Sequence, residues 1–259
     1  MDLGIAGRKA LLSGASRGLG KACAMALAKE GVDVTIVART RDVLEQACDE
    51  IRAATGVKVT PVVGDITKPE GRQAAIAACP APDILLNNAD GPVPGDFRNW
   101  TRDDWLGALD SMMLGPIEMI RLTVDGMMNR RFGRIINIVS RSVKIPQHEL
   151  GLSNGARSGL VGFVGGLARQ TVEHNVTINN LLPGIFDSDG QRRHIEGMLV
   201  EGGKSFDEIW QARAAGNPAK RYGRPPELGA YCAFICSEHA GFVTGQNLLV
   251  DGGSYPGTF

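Results

Sequence analysis

The sequence has no surplus of either charge. Its 259 residues carry 28 basic and 28 acidic side chains, a formal net charge of zero. That leaves no global basic field to draw in nucleic acid or an anionic membrane surface. Long apolar runs are missing too, and none approaches the roughly 20 residues a membrane span needs. Neither nucleic acid nor membrane is therefore an expected partner. The five cysteines are an odd number, scattered at positions 23, 48, 79, 232 and 236. Cys232 and Cys236 share i, i+4 spacing, but no histidine or second pair completes a metal set. The expectation is no metal, and free thiols in a reducing compartment. The opening MDLGIAGRKALLSG lacks the apolar core and small-residue cleavage site of a secretory leader, which makes cytoplasm the expected location. Tyrosine is scarce: Tyr222, Tyr231 and Tyr255 are the three, and none comes earlier in the chain.

What is present is alternation. Short β-branched runs at 9–14, 32–38, 58–65, 83–89, 133–140, 176–184 and 246–253 read as strands. Between them, segments with helical spacing cover 19–31, 41–55, 69–79, 102–129, 151–173 and 225–238. This βαβ rhythm predicts an α/β fold: a doubly wound parallel sheet with helices on both faces and right-handed crossovers. No linker, repeat or low-complexity tract divides the chain, so 1–259 reads as a single domain. The segment 185–224 breaks the rhythm and reads as a substrate lid over the carboxyl ends of the strands, where ligands bind in such sheets.

SGASRGLG (13–20) sets Gly14, Gly18 and Gly20 between the first strand and the first helix. Glycines there permit a tight turn and close approach of backbone to a ligand. The helix start offers unpaired N–H groups and a positive dipole end, which suits a pyrophosphate. The end of the second strand decides which dinucleotide is expected. A carboxylate there would bind the ribose hydroxyls of NAD, but the sequence reads Ala38-Arg39-Thr40-Arg41. With Arg17 in the glycine loop, two guanidiniums can pair with a 2′-phosphate, so NADP(H) is the expected cofactor.

The Gly-x-x-x-Gly-x-Gly spacing, LLNNA after strand four, LLPG after strand six and VDGG near the end occur in one order. Together they resemble the short-chain dehydrogenase/reductases, on the 3-oxoacyl-carrier-protein-reductase-like side, among members with an SN-x-x-R helix. The resemblance spans essentially the whole chain. It implies a Rossmann-like sheet of about seven strands, oxidoreductase activity on a small-molecule substrate, a nicotinamide cofactor, and a homotetramer or homodimer. At matching positions it implies a nucleotide cradle of Gly14, Ser16, Arg17, Gly18, Leu19 and Gly20. Asp65 and Ile66 would meet the adenine, Asn87 and Ala89 would lie along the adenosine ribose, and Arg157 would hold ribose. Pro183, Gly184 and Ser188 would face the carboxamide. One departure touches this pocket: where the family reads Asn-Asn-Ala-Gly, Asp90 follows Ala89. A carboxylate there either crowds the nucleotide or points to solvent, and Gly91 is next in line to replace the glycine.

The departures concentrate in the catalytic tetrad. The family uses an asparagine, a serine, a tyrosine and a lysine. Here the matching positions read Met112, Ser140, Ser153 and Arg157. Ser153 and Arg157 still share a helix face at i, i+4. What is lost is acidity, because a serine hydroxyl is far less acidic than a phenol of pKa about 10. Arginine holds its proton, so it can stabilise an oxyanion but not relay. Ser140, Ser153 and Arg157 thus form an oxyanion-binding cluster without an obvious acid. His148, on the loop entering that helix, is the candidate general acid, since histidine titrates near neutrality; His194 in the lid is a second candidate.

Three readings follow. One is an NADP(H)-dependent oxidoreductase acting on a small carbonyl or alcohol. Another is a non-redox enzyme on the same fold, of lyase, dehydratase or retro-aldol type, as halohydrin dehalogenases keep the fold with serine, tyrosine and arginine. The last is a nucleotide sensor or scaffold. The intact glycine loop, which the dehalogenases lack, favours the first. Arg192, Arg193, His194, Lys204, Trp210 and Arg213 in the lid suggest an anionic or polar-aromatic substrate.

Overall fold

Among the described residues, seven strands form one sheet: β1 (Lys9–Ser13), β2 (Asp33–Ala38), β3 (Val59–Val63), β4 (Ile84–Asn88), β5 (Gly133–Ile138), β6 (Val176–Pro183) and β7 (Asn247–Val250). The computed structural model describes residues 1–199 and 203–258; residues 200–202, within the expected lid, and 259 lie outside the described residues. The strand order is β3-β2-β1-β4-β5-β6-β7, and every pair is parallel. The order reverses between β1 and β4, which opens a crevice beyond their carboxyl ends. Every residue of β5 and β6 is buried, as strands covered by helices on both faces must be.

The first crossover is α1 (Gly18–Lys29), followed by α2 (Arg41–Thr55) and α3 (Pro69–Ala78). The central helix runs as α4 (Arg102–Leu109) and α5 (Gly115–Asn129), joined by a π turn over Asp110–Leu114. The sequence predicts one unbroken helix there; the wider turn inserts where Met112 replaces the family asparagine. After α6 (Gly151–Thr171), the described part of the expected lid holds two helices, α7 (Asp189–Met198) and α8 (Phe206–Gly216), and α9 (Pro225–Ile235) follows. The apolar core is split by the sheet. On one side Leu12, Ile36, Ile84 and Ile136 pack with Leu27 of α1 and Leu228 of α9. On the other Leu11, Leu85 and Ile135 pack with Ile120 of α5 and Leu160 of α6. Gly229 lets α9 lie on α1, because a Cβ there would sit 2.5 Å from the Ala22 carbonyl oxygen. All five cysteines are free and buried.

An asparagine ladder crosses the middle of the sheet. Asn87 Nδ2 donates to Asn137 Oδ1 (3.0 Å), Asn137 Nδ2 to Asn180 Oδ1 (3.0 Å), and Asn180 Nδ2 to Asn247 Oδ1 (2.9 Å). The four residues are register partners across β4, β5, β6 and β7. From Asn137 to Asn247 each side-chain oxygen accepts from its neighbour's amide, which lowers the desolvation cost of that part of the row; Asn87 Oδ1, at the end of the row, is buried without a partner. A one-residue slip of any strand would break the row, so the ladder also fixes register.

Candidate active site

A cleft of about 1170 Å³ lies across the carboxyl ends of the strands. At one end is the glycine loop. Gly14 and Gly18 adopt left-handed φ of 60° and 56°, and a Cβ on Gly14 would collide with the Asn88 carbonyl oxygen. Asn88 Nδ2 holds the other side of the turn by donating to Gly14 O at 2.8 Å. The first turn of α1 contains no acidic residue and no side chain caps it, so its N–H groups are left for an anion. Arg17 and Arg39 are exposed and both line the cleft. Ala38 ends β2, with no carboxylate at the strand end. These features fit a dinucleotide carrying a 2′-phosphate.

Of the residues expected around such a nucleotide, Gly14, Ser16, Arg17, Gly18, Leu19, Arg39, Asp65, Ile66, Ala89, Arg157, Pro183, Gly184 and Ser188 line the cleft. Two do not. Asn87 is 1% exposed and spends its amide in the ladder, so the cleft is reached by Asn88 instead. Gly20 lies behind the loop, where a Cβ would strike the Gly14 carbonyl oxygen. Asp65 accepts from Thr67 N at 2.9 Å in a turn beyond the end of β3. Ser188 caps α7 by accepting from Gln191 N at 3.3 Å.

The other end of the cleft holds Ser140, Ser153 and Arg157. Arg157 Nε donates to Ser153 Oγ (3.1 Å), one Nη to Ile138 O (2.9 Å), and the other to Ala89 O (2.9 Å). The guanidinium thereby ties α6 to the ends of β4 and β5. Burial pulls its pKa down to about 10, opposed by the charge of Asp90, and it stays cationic at neutral pH. Ser153 Oγ accepts one N–H, and Ser140 Oγ accepts the N–H of Ser142 at 3.1 Å. Among the described residues, neither hydroxyl hydrogen has a protein acceptor. Two O–H donors are left for a ligand oxygen, as an oxyanion site requires.

The two other expected contributors do not reach the cleft. Met112 is 1% exposed and packs with Ala108, Leu152 and Ala156, so no side chain anchors a water at the family's asparagine position. His148 has a side chain 98% exposed beside Glu149 and is not among the cleft residues. Its placement on a short surface turn aims it at solvent, which removes the expected general acid. His194 does line the cleft. Burial, then the Arg213 charge, lowers its pKa to about 4.

Asp90 is not idle. Its carboxylate accepts from Arg193 of α7 at 3.0 Å, bridging the lid and the loop after β4. The sequence reading also missed Arg141, Gln147, Gln191 and Asn88 as cleft residues. Asn88 was signalled by its place beside Asn87, since successive strand residues face opposite ways. The others had no signal beyond polarity.

Comparison with known proteins agrees with this geometry. NADPH-dependent reductase BacG of Bacillus subtilis is 31% identical over 252 residues, covering 95% of this chain and 97% of its own. The 3-oxoacyl-[acyl-carrier-protein] reductase FabG of Vibrio cholerae is 30% identical over 259 residues, covering 98% and 99%. Among solved structures, L-sorbose reductase from Gluconobacter frateurii, complexed with NADPH and L-sorbose, superposes with a TM-score of 0.92 at 29% identity, covering 99% of this chain and all of that one. The family model described as enoyl-(acyl carrier protein) reductase matches residues 14–255. With this sheet order, glycine loop and cleft, the chain belongs to the short-chain dehydrogenase/reductase family.

Proposed function

We propose that the protein is an NADP(H)-dependent oxidoreductase that reduces a small carbonyl, or oxidises the matching alcohol, with Ser140 and Ser153 as paired donors to the substrate oxygen. The observation that carries this reading is that one cleft holds both a dinucleotide cradle and two serine hydroxyls whose hydrogens lack a protein acceptor. BacG is named NADPH-dependent, and the sorbose reductase holds NADPH. Arg17, Arg39 and the first turn of α1 would hold the dinucleotide, which supplies the reducing equivalent when bound. Ser140 and Ser153 hold the carbonyl oxygen and share the negative charge that grows on it. Arg157 turns the Ser153 hydroxyl outward by donating into its oxygen, and its cationic charge favours the oxyanion. Serine is too weak an acid to release its proton, so the proton completing the alcohol comes from solvent through the open cleft.

The expected result is tighter binding of NADPH than NADH, with Arg39→Asp reversing the order by removing a phosphate partner and adding a ribose acceptor. Fluorescence titration with both nucleotides checks it; equal affinities for the wild type sink the NADP(H) assignment. Among the described residues no tyrosine lines the cleft, which favours a second, non-redox reading of lyase, dehydratase or retro-aldol type. NADPH consumption during turnover separates the two. We also infer a cytoplasmic homotetramer or homodimer, supported by apolar side chains left exposed, such as Phe242 at 102% and Leu114 at 43%.

A further inference from the structure

Two side chains of α7 face the cleft with no part in the nucleotide cradle or the serine pair. Gln191 and His194 stand three residues apart on the helix, so they share a face, and both line the cleft. The helix begins beside the glycine loop, where a Cβ on Gly18 would lie 3.8 Å from Ser188 Cβ, and runs toward Val93, which Gly197 near its end approaches. The charge of Glu149, on the turn entering α6, acts on His194, and Gln147 and Leu150 at that turn line the cleft too. Ser153 follows in the first turn of α6. The pair therefore lies between the nucleotide cradle and the turn that leads into Ser153.

Gln191 Nε2 and His194 Nε2 are each shut off from solvent with no hydrogen-bond partner among the described residues. A polar nitrogen left so is costly unless a ligand supplies its partner. Both residues are only half-buried, so a rotation about the side-chain torsions, not a change of fold, brings either nitrogen onto a ligand. Neither group is charged: burial first, then the Arg213 charge, holds the His194 ring neutral at pH 7. Arg192 and Arg193 on the same helix, which by sequence suggest an anionic substrate, pair with Asp187 at 2.7 Å and with Asp90 at 3.0 Å. Val93, Pro94 and Leu150 add apolar wall to the cleft. Such walls hold a small organic molecule by shape, and a few placed polar groups set its orientation.

We propose that Gln191 and His194 recognise a hydroxyl group on the substrate, so that the carbonyl compound reduced is an uncharged hydroxy-carbonyl. A hydroxyl both accepts and donates. It accepts from the Gln191 amide and meets His194 Nε2 in either tautomer, accepting from its N–H or donating to the bare nitrogen. A methyl group in its place would leave both nitrogens buried without a partner. An anion needs a cation to offset its lost hydration, and neither member of the pair is one. This rests on the reductase reading for turnover, but not for binding.

The test has two arms. In the first, NADPH oxidation is followed with hydroxyacetone and 4-hydroxy-2-butanone. Each is compared with the ketone carrying methyl in place of hydroxyl (butanone, 2-pentanone) and with the oxo acid of equal carbon count (pyruvate, acetoacetate). At least one hydroxyketone should exceed its methyl counterpart in kcat/KM by about tenfold to a hundredfold, what one or two hydrogen bonds are worth when their loss strands a buried group. Gln191→Leu and His194→Phe should each shrink that ratio, mainly through KM; a cooperative unfolding transition checks that each variant folds. In the second arm, saturation-transfer NMR measures the binding of propylene glycol and butane-1,3-diol to the NADPH-loaded protein, which holds no oxidised nucleotide to turn them over. At least one diol should bind about tenfold more tightly than its methyl counterpart, sec-butanol or pentan-2-ol, and Gln191→Leu should remove the difference. Hydroxyketones reduced no better than their methyl counterparts, an oxo acid preferred to the hydroxyketone of its length, or a ratio that survives both variants overturns the proposal. If no carbonyl is reduced, the reductase reading fails and NMR decides alone: a Gln191-dependent preference for a diol supports the hydroxyl site, and no preference overturns it.

Discussion

Arg157 and Ser140 separate two kinds of contribution within the same cluster. Arg157 satisfies two main-chain carbonyls and one hydroxyl at 7% exposure. Ser140 makes one bond, to the N–H of Ser142. Arg157→Met should therefore cost about 2–5 kcal/mol of unfolding free energy, since two buried acceptors lose their partner, and it should lower turnover as well. Ser140→Ala should leave stability nearly unchanged while lowering kcat about a hundredfold to a thousandfold, the usual loss for one oxyanion donor. Urea unfolding and kcat measured on the same preparations check both. A Ser140→Ala enzyme within about threefold of wild type would place the oxyanion site elsewhere. Arg157→Lys should not restore stability, because one ammonium cannot span three acceptors arranged for a planar fork.

At the scale of the element, α7 is the piece whose position matters most. It carries Ser188 at its N-cap, Gln191 and His194 toward the cleft, and Arg193 across to Asp90. The Asp90–Arg193 pair is half-exposed, at 62% and 44%, so it is worth at most about 1 kcal/mol. That is enough to bias a lid without locking it. Arg193→Gln should raise amide exchange across 189–198 by up to about fivefold, and added salt should have the same effect on the wild type. Exchange mass spectrometry with and without salt reads this; no change in either condition would show that packing alone holds the helix. Gly197 marks that packing, since a Cβ there would come within 3.0 Å of Val93.

At the scale of the whole molecule, apolar surface remains uncovered. Phe234 of α9 and Phe242 are exposed, and β7 is an edge strand with all four residues half-buried. Leu114, Leu122 and Phe163 are exposed on α5, its preceding π turn and α6. A zero net charge offers no repulsion between copies, and an uncovered sheet edge invites pairing or cover. Light scattering coupled to size exclusion should report a dimer or tetramer, and Phe242→Asp should shift it toward smaller species. A monomeric wild type at micromolar concentration would refute the assembly.

The βαβ order, the glycine loop and the parallel sheet were all legible in the sequence, because each rests on local periodicity or on residues close together in the chain. So was the gap in the tetrad, since counting along the chain lands on Ser153 and Arg157. The π turn at 110–114 was not legible; it keeps helical spacing on either side and changes only the hydrogen-bond pitch. Nor was the asparagine ladder, whose members are 43 to 67 residues apart and meet only through strand register. His148 and His194 make the same point for the site. Both are histidines in polar surroundings by sequence, and nothing local distinguishes them. The fold turns one outward on a three-residue turn and sets the other, on the lid helix α7, against the cleft with the Arg213 charge acting on it. Residue type fixes what a side chain can do, but burial and direction are set by contacts between distant segments, and those decided which residues share the cleft.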